Sequence, residues 1–160
     1  MDINKIDPLK FRSALGQFPT GVTIVTTLDA NGGKVGMTAS SFNTVSLDPP
    51  LVLWSIAKSA YSYDSFMAAK HFAIHVLTAG QADLSDLFAQ TGADKFELID
   101  CSTGLANIPI LPKFAACFQC DTEHRYDGGD HTILVGRVID FESHETEPLL
   151  FHRGNYAEIT

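Results

Sequence analysis

The sequence predicts a closed or nearly closed antiparallel β-barrel carrying a few short helices, in a single domain over residues 1–160. Three observations lead there. Six or seven stretches rich in β-branched and aromatic residues follow one another through mostly short connections. Helical patterns occur at only three places, too few for a parallel α/β sheet, which needs a helix between nearly every pair of strands. The one long stretch without periodicity, residues 91–113, contains Gly, Pro and Asn and reads as an excursion within the domain rather than a linker.

Taken in order, Asp7-Pro8 marks a helix start, with Asp7 as N-cap and Pro8 at the first helical position. Phe11, Ala14, Leu15 and Phe18 then recur at helical spacing, and Pro19 ends the helix. Val22–Leu28 reads as a strand. Asp29-Ala30-Asn31-Gly32-Gly33 is the turn that pairs it with a second strand over Val35–Ser46, because Asn and Gly tolerate positive φ. Asp48-Pro49-Pro50 must stop that strand, since proline fixes φ and donates no N–H. Leu51–Ala57 follows as a strand, then a polar break at Lys58–Tyr61. A short helix, Ser62–Ala69, carries Asp64 near its positive end. His71–Leu77 is a strand and Ala82–Ala89 a helix burying Leu84, Leu87 and Phe88. Two long strands, Phe114–Tyr126 and Thr132–Ser143, join through Asp127-Gly128-Gly129-Asp130, and Pro148–Tyr156 closes the chain.

Charge and composition exclude several classes of partner. The net charge of -8 and pI near 5.0 argue against nucleic acid and anionic membranes. A small anionic ligand is still allowed, because a local nest of N–H groups binds one against the global field. No apolar run approaches the ~20 residues of a membrane span, and Met1–Lys5 lacks a signal peptide's layout, so a cytoplasmic protein is expected. Cys101, Cys117 and Cys120 are an odd number and suggest no disulfide framework. Cys117 and Cys120 fit C-x-x-C, but on a strand residues three apart face opposite ways and cannot share an ion; buried apolar cysteines are expected.

The stretch Gly36–Pro50 offers hydroxyls and backbone N–H groups without bulk, a chemistry suited to holding a phosphate by hydrogen bonds. No G-x-G-x-x-G or G-x-x-x-x-G-K-[ST] is present, so a nucleotide, if bound, is not held by the usual glycine loops. Five segments fall in one order: Phe11–Phe18 with Thr20-Gly21-Val22-Thr23; Gly36-Met37-Thr38-Ala39-Ser40-Ser41-Phe42; Val45-Ser46-Leu47-Asp48-Pro49-Pro50-Leu51; Gly128-Gly129-Asp130-His131-Thr132; and Pro148-Leu149-Leu150-Phe151-His152-Arg153-Gly154. This order resembles the flavin reductase family of the FMN-binding split barrel, the reductase component of two-component flavin monooxygenases, over about Phe11–Tyr156.

That resemblance implies a homodimeric split barrel with Greek-key antiparallel strands, which uses NADH or NADPH to reduce FMN or FAD. The reduced flavin diffuses to a separate monooxygenase. It places the flavin along Gly36, Met37, Thr38, Ala39, Ser40 and Ser41, with further contacts on Ser55, Ile56, Ala57, Lys58, Ser59, Ala60 and Ser85. His131 is implied where the nicotinamide stacks on the flavin, making it the candidate catalytic residue, with Phe151, His152, Arg153 and Tyr156 near the same place. The rival reading is a non-enzymatic FMN-binding storage or electron-carrier protein on the same fold. The Gly-Asp-His and Phe-His-Arg-Gly segments argue against it, since storage needs no nicotinamide pocket. A third reading is an enzyme that keeps its flavin and reduces another acceptor. One departure stands out: His75 occupies a position often Asn in the family.

Hydride transfer asks for positioning rather than a covalent intermediate, which fits the lack of an obvious triad. Lys58 is available to balance flavin phosphate or charge on the reduced ring. Whether His131 acts as an acid or a hydrogen-bonding group stays open, and Asp130 reads as a turn residue in preference to an orienting one. Arg153 pairs either with a cofactor phosphate or with an acid across a dimer interface. His71 and His75 share a strand face but lack ligand partners, so no metal site is expected. Trp54 reads as packing. FMN against FAD and NADH against NADPH are left undecided.

Overall fold

The structure, a computed structural model, describes residues 5–92 and 94–160. Helix α1 spans Pro8–Leu15, its first-turn N–H groups capped by Asp7, whose Oδ1 accepts from Leu9 N at 2.9 Å. Strands β1 (Thr20–Gly21), β2 (Thr23–Leu28), β3 (Lys34–Ala39), β4 (Asn43–Leu47) and β5 (Pro50–Ala57) follow. Then come α2 (Tyr63–Ala68), β6 (His71–Val76), α3 (Ala82–Phe88) and two short strands, β7 (Ser102–Thr103) and β8 (Pro109–Ile110). The long strands β9 (Ala116–Gly128) and β10 (His131–Ser143) form a hairpin, and β11 (Leu150–His152) pairs with β12 (Asn155–Ala157).

Seven strands make one antiparallel sheet in the order β3-β2-β6-β9-β10-β5-β4. The two edge strands, β3 and β4, are consecutive in the chain and linked only through Ser40, Ser41 and Phe42. Such a link reaches about 14 Å at most. The sheet must therefore curl until its edges meet, which makes a barrel with a seam where no ladder joins β3 to β4. Ser41 pins the crossing: its Oγ accepts from Ser55 N at 2.8 Å and donates to Ser55 O at 3.1 Å.

Here the structure corrects the expectation of one strand over Val35–Ser46. The pattern of alternation runs through Ser40–Phe42, but the hydrogen-bonding partner changes there from β2 to β5. β4 ends at Leu47, before the Asp48–Pro49 cis peptide, as the prolines require. The β9–β10 turn centres on Gly129-Asp130, with Gly129 at φ +80°, the positive value that a two-residue hairpin needs. The excursion 91–113 is not wholly irregular, since β7 and β8 pair within it; Ala93 lies outside the described residues.

Three apolar clusters hold the fold. One fills the barrel with Trp54, Phe66, Phe72, Ile74, Leu134 and Cys120. Trp54 meets Phe66 and Phe72 edge-on at 4.9 and 6.1 Å, the packing role expected of it. A second lies under α3, where Phe88 is buried and Leu84 and Leu87 are partly so. The third joins Cys117, Ala73 and Phe114 to the excursion through Ile108 and Ile110. Cys117 and Cys120 thus sit in different clusters, on opposite faces of β9. Burial pushes each thiol up to about 12, so both are inert at neutral pH.

His75 is fully buried and has a defined task. Leu111 N donates to its Nε2 at 3.1 Å, so Nδ1 carries the proton and donates to Ile24 O at 3.0 Å. A neutral imidazole is required, and burial lowers its pKa to about 4. The side chain staples the excursion to β2 and β6. An asparagine amide also offers a donor and an acceptor.

Candidate functional site

The seam sets the site. Edge strands carry unpaired backbone groups, and β3 presents its outer edge beside α3 and the chain just beyond it. Gly36 is buried and permits that approach: a Cβ there would lie 2.6 Å from Phe88 Cε1 and 3.0 Å from Phe96 Cζ. Thr38 donates its hydroxyl to Ser85 O at 2.6 Å, fixing β3 to α3. Ser85 is itself buried, and its Oγ lies 2.8 Å from the Tyr156 hydroxyl, which donates to Asp86 Oδ1 at 2.5 Å. Tyr156 is held above its ordinary pKa by burial and then by that carboxylate. Ser85, Thr38 and Tyr156 therefore knit β3, α3 and β12 together, and the hydroxyl protons of Thr38 and Tyr156 go to that frame.

Two cavities lie along this edge and have Tyr61, Ser62 and Lys95 as walls in common. The smaller, about 210 Å³, is walled by Met37, Thr38, Ala60, Tyr61, Phe88, Gln90 and Lys95. The Lys95 ammonium donates to Gly36 O at 3.1 Å and Phe88 O at 2.9 Å, which leaves one N–H unspent. No carboxylate pairs with it among the described residues. Half-burial lowers its pKa, the mark of a cation short of compensation. The sequence reading missed Lys95, because residues 91–113 carry no periodicity; Asp94-Lys95-Phe96 gave no local signal, and its meaning arises only from carbonyls that the fold brings close.

A separate, largely apolar cleft of about 630 Å³ opens at the other end of the seam, between Ser40, Phe151, Arg153 and the side of α1. Arg153 takes φ +53° in the β11–β12 turn and is tied to the end of α1. Its N–H donates to Gly16 O, and its guanidinium donates to Gln17 Oε1 at 2.9 and 3.2 Å. Phe151 packs edge-on to Tyr156 at 5.6 Å, while His152 is half-buried on β11.

Ala39 pairs with Thr23 of β2, while Ala57, Lys58 and His131 gather at the β9–β10 turn. His131 pairs in register with Ala57, and Lys58 N donates to Asp130 O at 2.9 Å. Asp130 Oδ1 lies 2.7 Å from His131 Nδ1 and is held below its ordinary pKa by that bond. Asp130 is thus both turn residue and orienting partner. The Lys58 ammonium is already engaged by Asp127, which raises the lysine's pKa and lowers the carboxylate's, both groups being solvent-exposed. Ser55 is half-buried, Ile56 lies in the core and Ser59 is exposed. Met37, Thr38 and Ala60 share the smaller cavity; Ser40, Phe151 and Arg153 share the apolar cleft; Lys58 and His131 line neither. Among the described residues no cluster suits a metal ion.

The chain is thus a curled antiparallel barrel whose seam holds a half-buried cation between two backbone carbonyls. The chain belongs to the flavin reductase like domain family, whose model matches residues 15–160. It is 45% identical over 150 residues to the FMN reductase (NADH) SmoA of Agrobacterium fabrum, covering 94% of this chain and 85% of that protein. It is 42% identical over 155 residues to the flavin-dependent monooxygenase reductase subunit HsaB of Rhodococcus jostii, covering 96% and 79%. Among solved structures, the NADH:FAD oxidoreductase SgcE6 of Streptomyces globisporus, in complex with NAD and FAD fragments, superposes with TM-score 0.90 at 37% identity. That match covers 98% of this chain and 96% of the other. The chain spans about half the length of two further curated relatives, 50% and 49%. The donor set fits a flavin phosphate: an unpaired ammonium with a spare N–H beside an open strand edge.

Proposed function

We propose that this chain is a flavin reductase that takes a hydride from NADH or NADPH and delivers reduced flavin to a partner monooxygenase. The observation that carries the reading is the Lys95 ammonium, half-buried at the seam without a carboxylate and facing a cavity of phosphate-binding size. The flavin, when bound, supplies the ring that accepts the hydride. The chain's residues bind and orient. Lys95 and the β3 edge hold the phosphate-bearing side chain, while Ser40, Ser41 and Ser55 line the seam. His131, with Nδ1 turned to Asp130, presents Nε2 at the rim on which the resemblance places the nicotinamide. Frame-bound hydroxyls and one lysine bind moderately, as suits a protein that must release its flavin.

A homodimer belongs to the same reading. Phe18, Phe141 and Leu47 are 73, 66 and 97% exposed, and a second copy is the natural cover for such a surface. No helix is long and apolar enough to cross a membrane among the described residues, and the acidic charge disfavours nucleic acid. The test follows nicotinamide oxidation by absorbance, with FMN, FAD or no flavin added to the purified protein. Turnover that depends on added flavin supports the reading; flavin binding without turnover sinks it.

A further inference from the structure

Arg153 is held by three hydrogen bonds, and none of them neutralises its charge. Its backbone N donates to Gly16 O at 3.0 Å, while Nε and Nη2 of its guanidinium donate to Gln17 Oε1 at 3.2 and 2.9 Å. A guanidinium only donates, so the Gln17 atom that faces it must be the amide oxygen. Two of its five N–H groups engage that neutral acceptor; three remain, and so does the positive charge. Among the described residues no carboxylate pairs with Arg153 or with Arg12. Both arginines wall the apolar cleft beside α1, which no acidic side chain lines, in a chain of net charge -8. The Arg153 backbone sits at φ +53°, a region that strains a residue other than glycine and persists only where the surroundings fix it.

We infer that Gln17 is a positioning residue for the nicotinamide coenzyme: its neutral amide fixes the Arg153 guanidinium and leaves the charge to the coenzyme's diphosphate in this cleft. Three free N–H groups on a planar cation suit phosphate oxygens. Gln17→Glu would keep the length and the grip but cancel the charge. Gln17→Met would keep the charge and release the grip. The amide alone supplies both. This inference rests on the flavin reductase reading and adds to it a residue 136 positions from Arg153 in the chain. A flavin phosphate offers the cleft the same chemistry, and the experiment separates the two sources.

The test combines steady-state kinetics with calorimetric titration by NAD⁺ in the presence of FMN, a pair that exchanges no hydride. Gln17→Glu is expected to fold with a Tm at or above that of the unaltered protein. It should raise the NADH KM and the NAD⁺ Kd about threefold to fivefold, as for one exposed charge pair, and the gap should close as salt rises. Gln17→Met should raise both about threefold at unchanged kcat, and should add nothing in an Arg153→Met background. The FMN Kd should move by less than about twofold in either variant. Unaltered NADH KM and NAD⁺ Kd in Gln17→Glu would overturn the inference, because the contact then only braces the turn. A loss that falls on FMN instead, or on both ligands equally, would overturn it in favour of the flavin phosphate. A change confined to the monomer–dimer equilibrium would overturn it too, by giving the Arg153 charge to a subunit contact. Absence of flavin-dependent turnover in the unaltered protein fails the flavin reading itself, an outcome distinct from all of these.

Discussion

Lys95 and Lys58 are both lysines of the candidate site, and they are opposites. Lys58 is exposed, follows a strand end and spends its charge on Asp127 across the β9–β10 hairpin. Lys95 is half-buried, comes from an aperiodic stretch and spends two of its three N–H groups on backbone carbonyls, which donate no compensating charge. The histidines repeat the contrast. His131 is partly exposed and leans on an acidic neighbour, while His75 is sealed in and fixed by two backbone groups. Groups fixed by the backbone have one available geometry and a field less screened by water. Groups paired at the surface are replaceable, since screening leaves each pair little to lose.

The largest effect should come from His75. Its pKa is about 4 in the fold and near 6.5 unfolded. Between those values the unfolded chain binds a proton that the folded one refuses, so stability is complete above pH ~6.5 and falls as pH drops toward ~4. The loss amounts to about 3 kcal/mol. Urea unfolding at both ends of this window checks it, with His75→Asn expected to flatten the curve. A wild-type curve already flat would mean the ring is not held neutral. Next comes Lys95→Met, which should raise the flavin Kd by about tenfold to a hundredfold, the span of a charge-assisted hydrogen bond. Fluorescence titration reads it, and an unmoved Kd removes Lys95 from the site.

Smaller effects belong to the exposed group. His131→Ala should raise the NADH KM about fivefold, as for one lost hydrogen bond, with flavin Kd steady. Equal loss in both would mark a structural role. Asp130→Asn should show a weaker version of the same split in steady-state kinetics. Lys58→Met comes last, with flavin Kd changed by less than about twofold in physiological salt. A tenfold loss there would reverse the ranking of the two lysines.

Local chemistry made much of this legible in sequence. The Asp7-Pro8 start, the glycine hairpins and the proline stop each depend on a few adjacent residues, and each stands within two residues of its expected place. Cys117 and Cys120 were legible for the same reason, because strand periodicity alone puts them on opposite faces. What was hidden depends on distance along the chain. The break at Ser40–Phe42 leaves the alternation undisturbed and shows only in the change of partner strand. Lys95 draws its role from Gly36, 59 residues away. The apolar stripe Phe11, Ala14, Leu15 and Phe18 was plain, but α1 ends at Leu15, short of Phe18, and Phe11, Leu15 and Phe18 lie exposed in the single chain rather than in its core. Periodicity says that a face is apolar, not what covers it.

The three residues between β3 and β4 also bear on how the protein behaves in a crowd. An open sheet edge invites strands from neighbouring molecules, and proteins usually blunt such edges with charge, bulges or prolines. β4 carries Val45 and Leu47 outward with no lysine along it. Its safeguard is geometric: the short tether keeps each edge occupied with the nearness of the other. Lengthening that tether by a few flexible residues would leave every core contact in place and still turn a self-closing sheet into one with two adhesive rims. Tether length is here what keeps the two edges together.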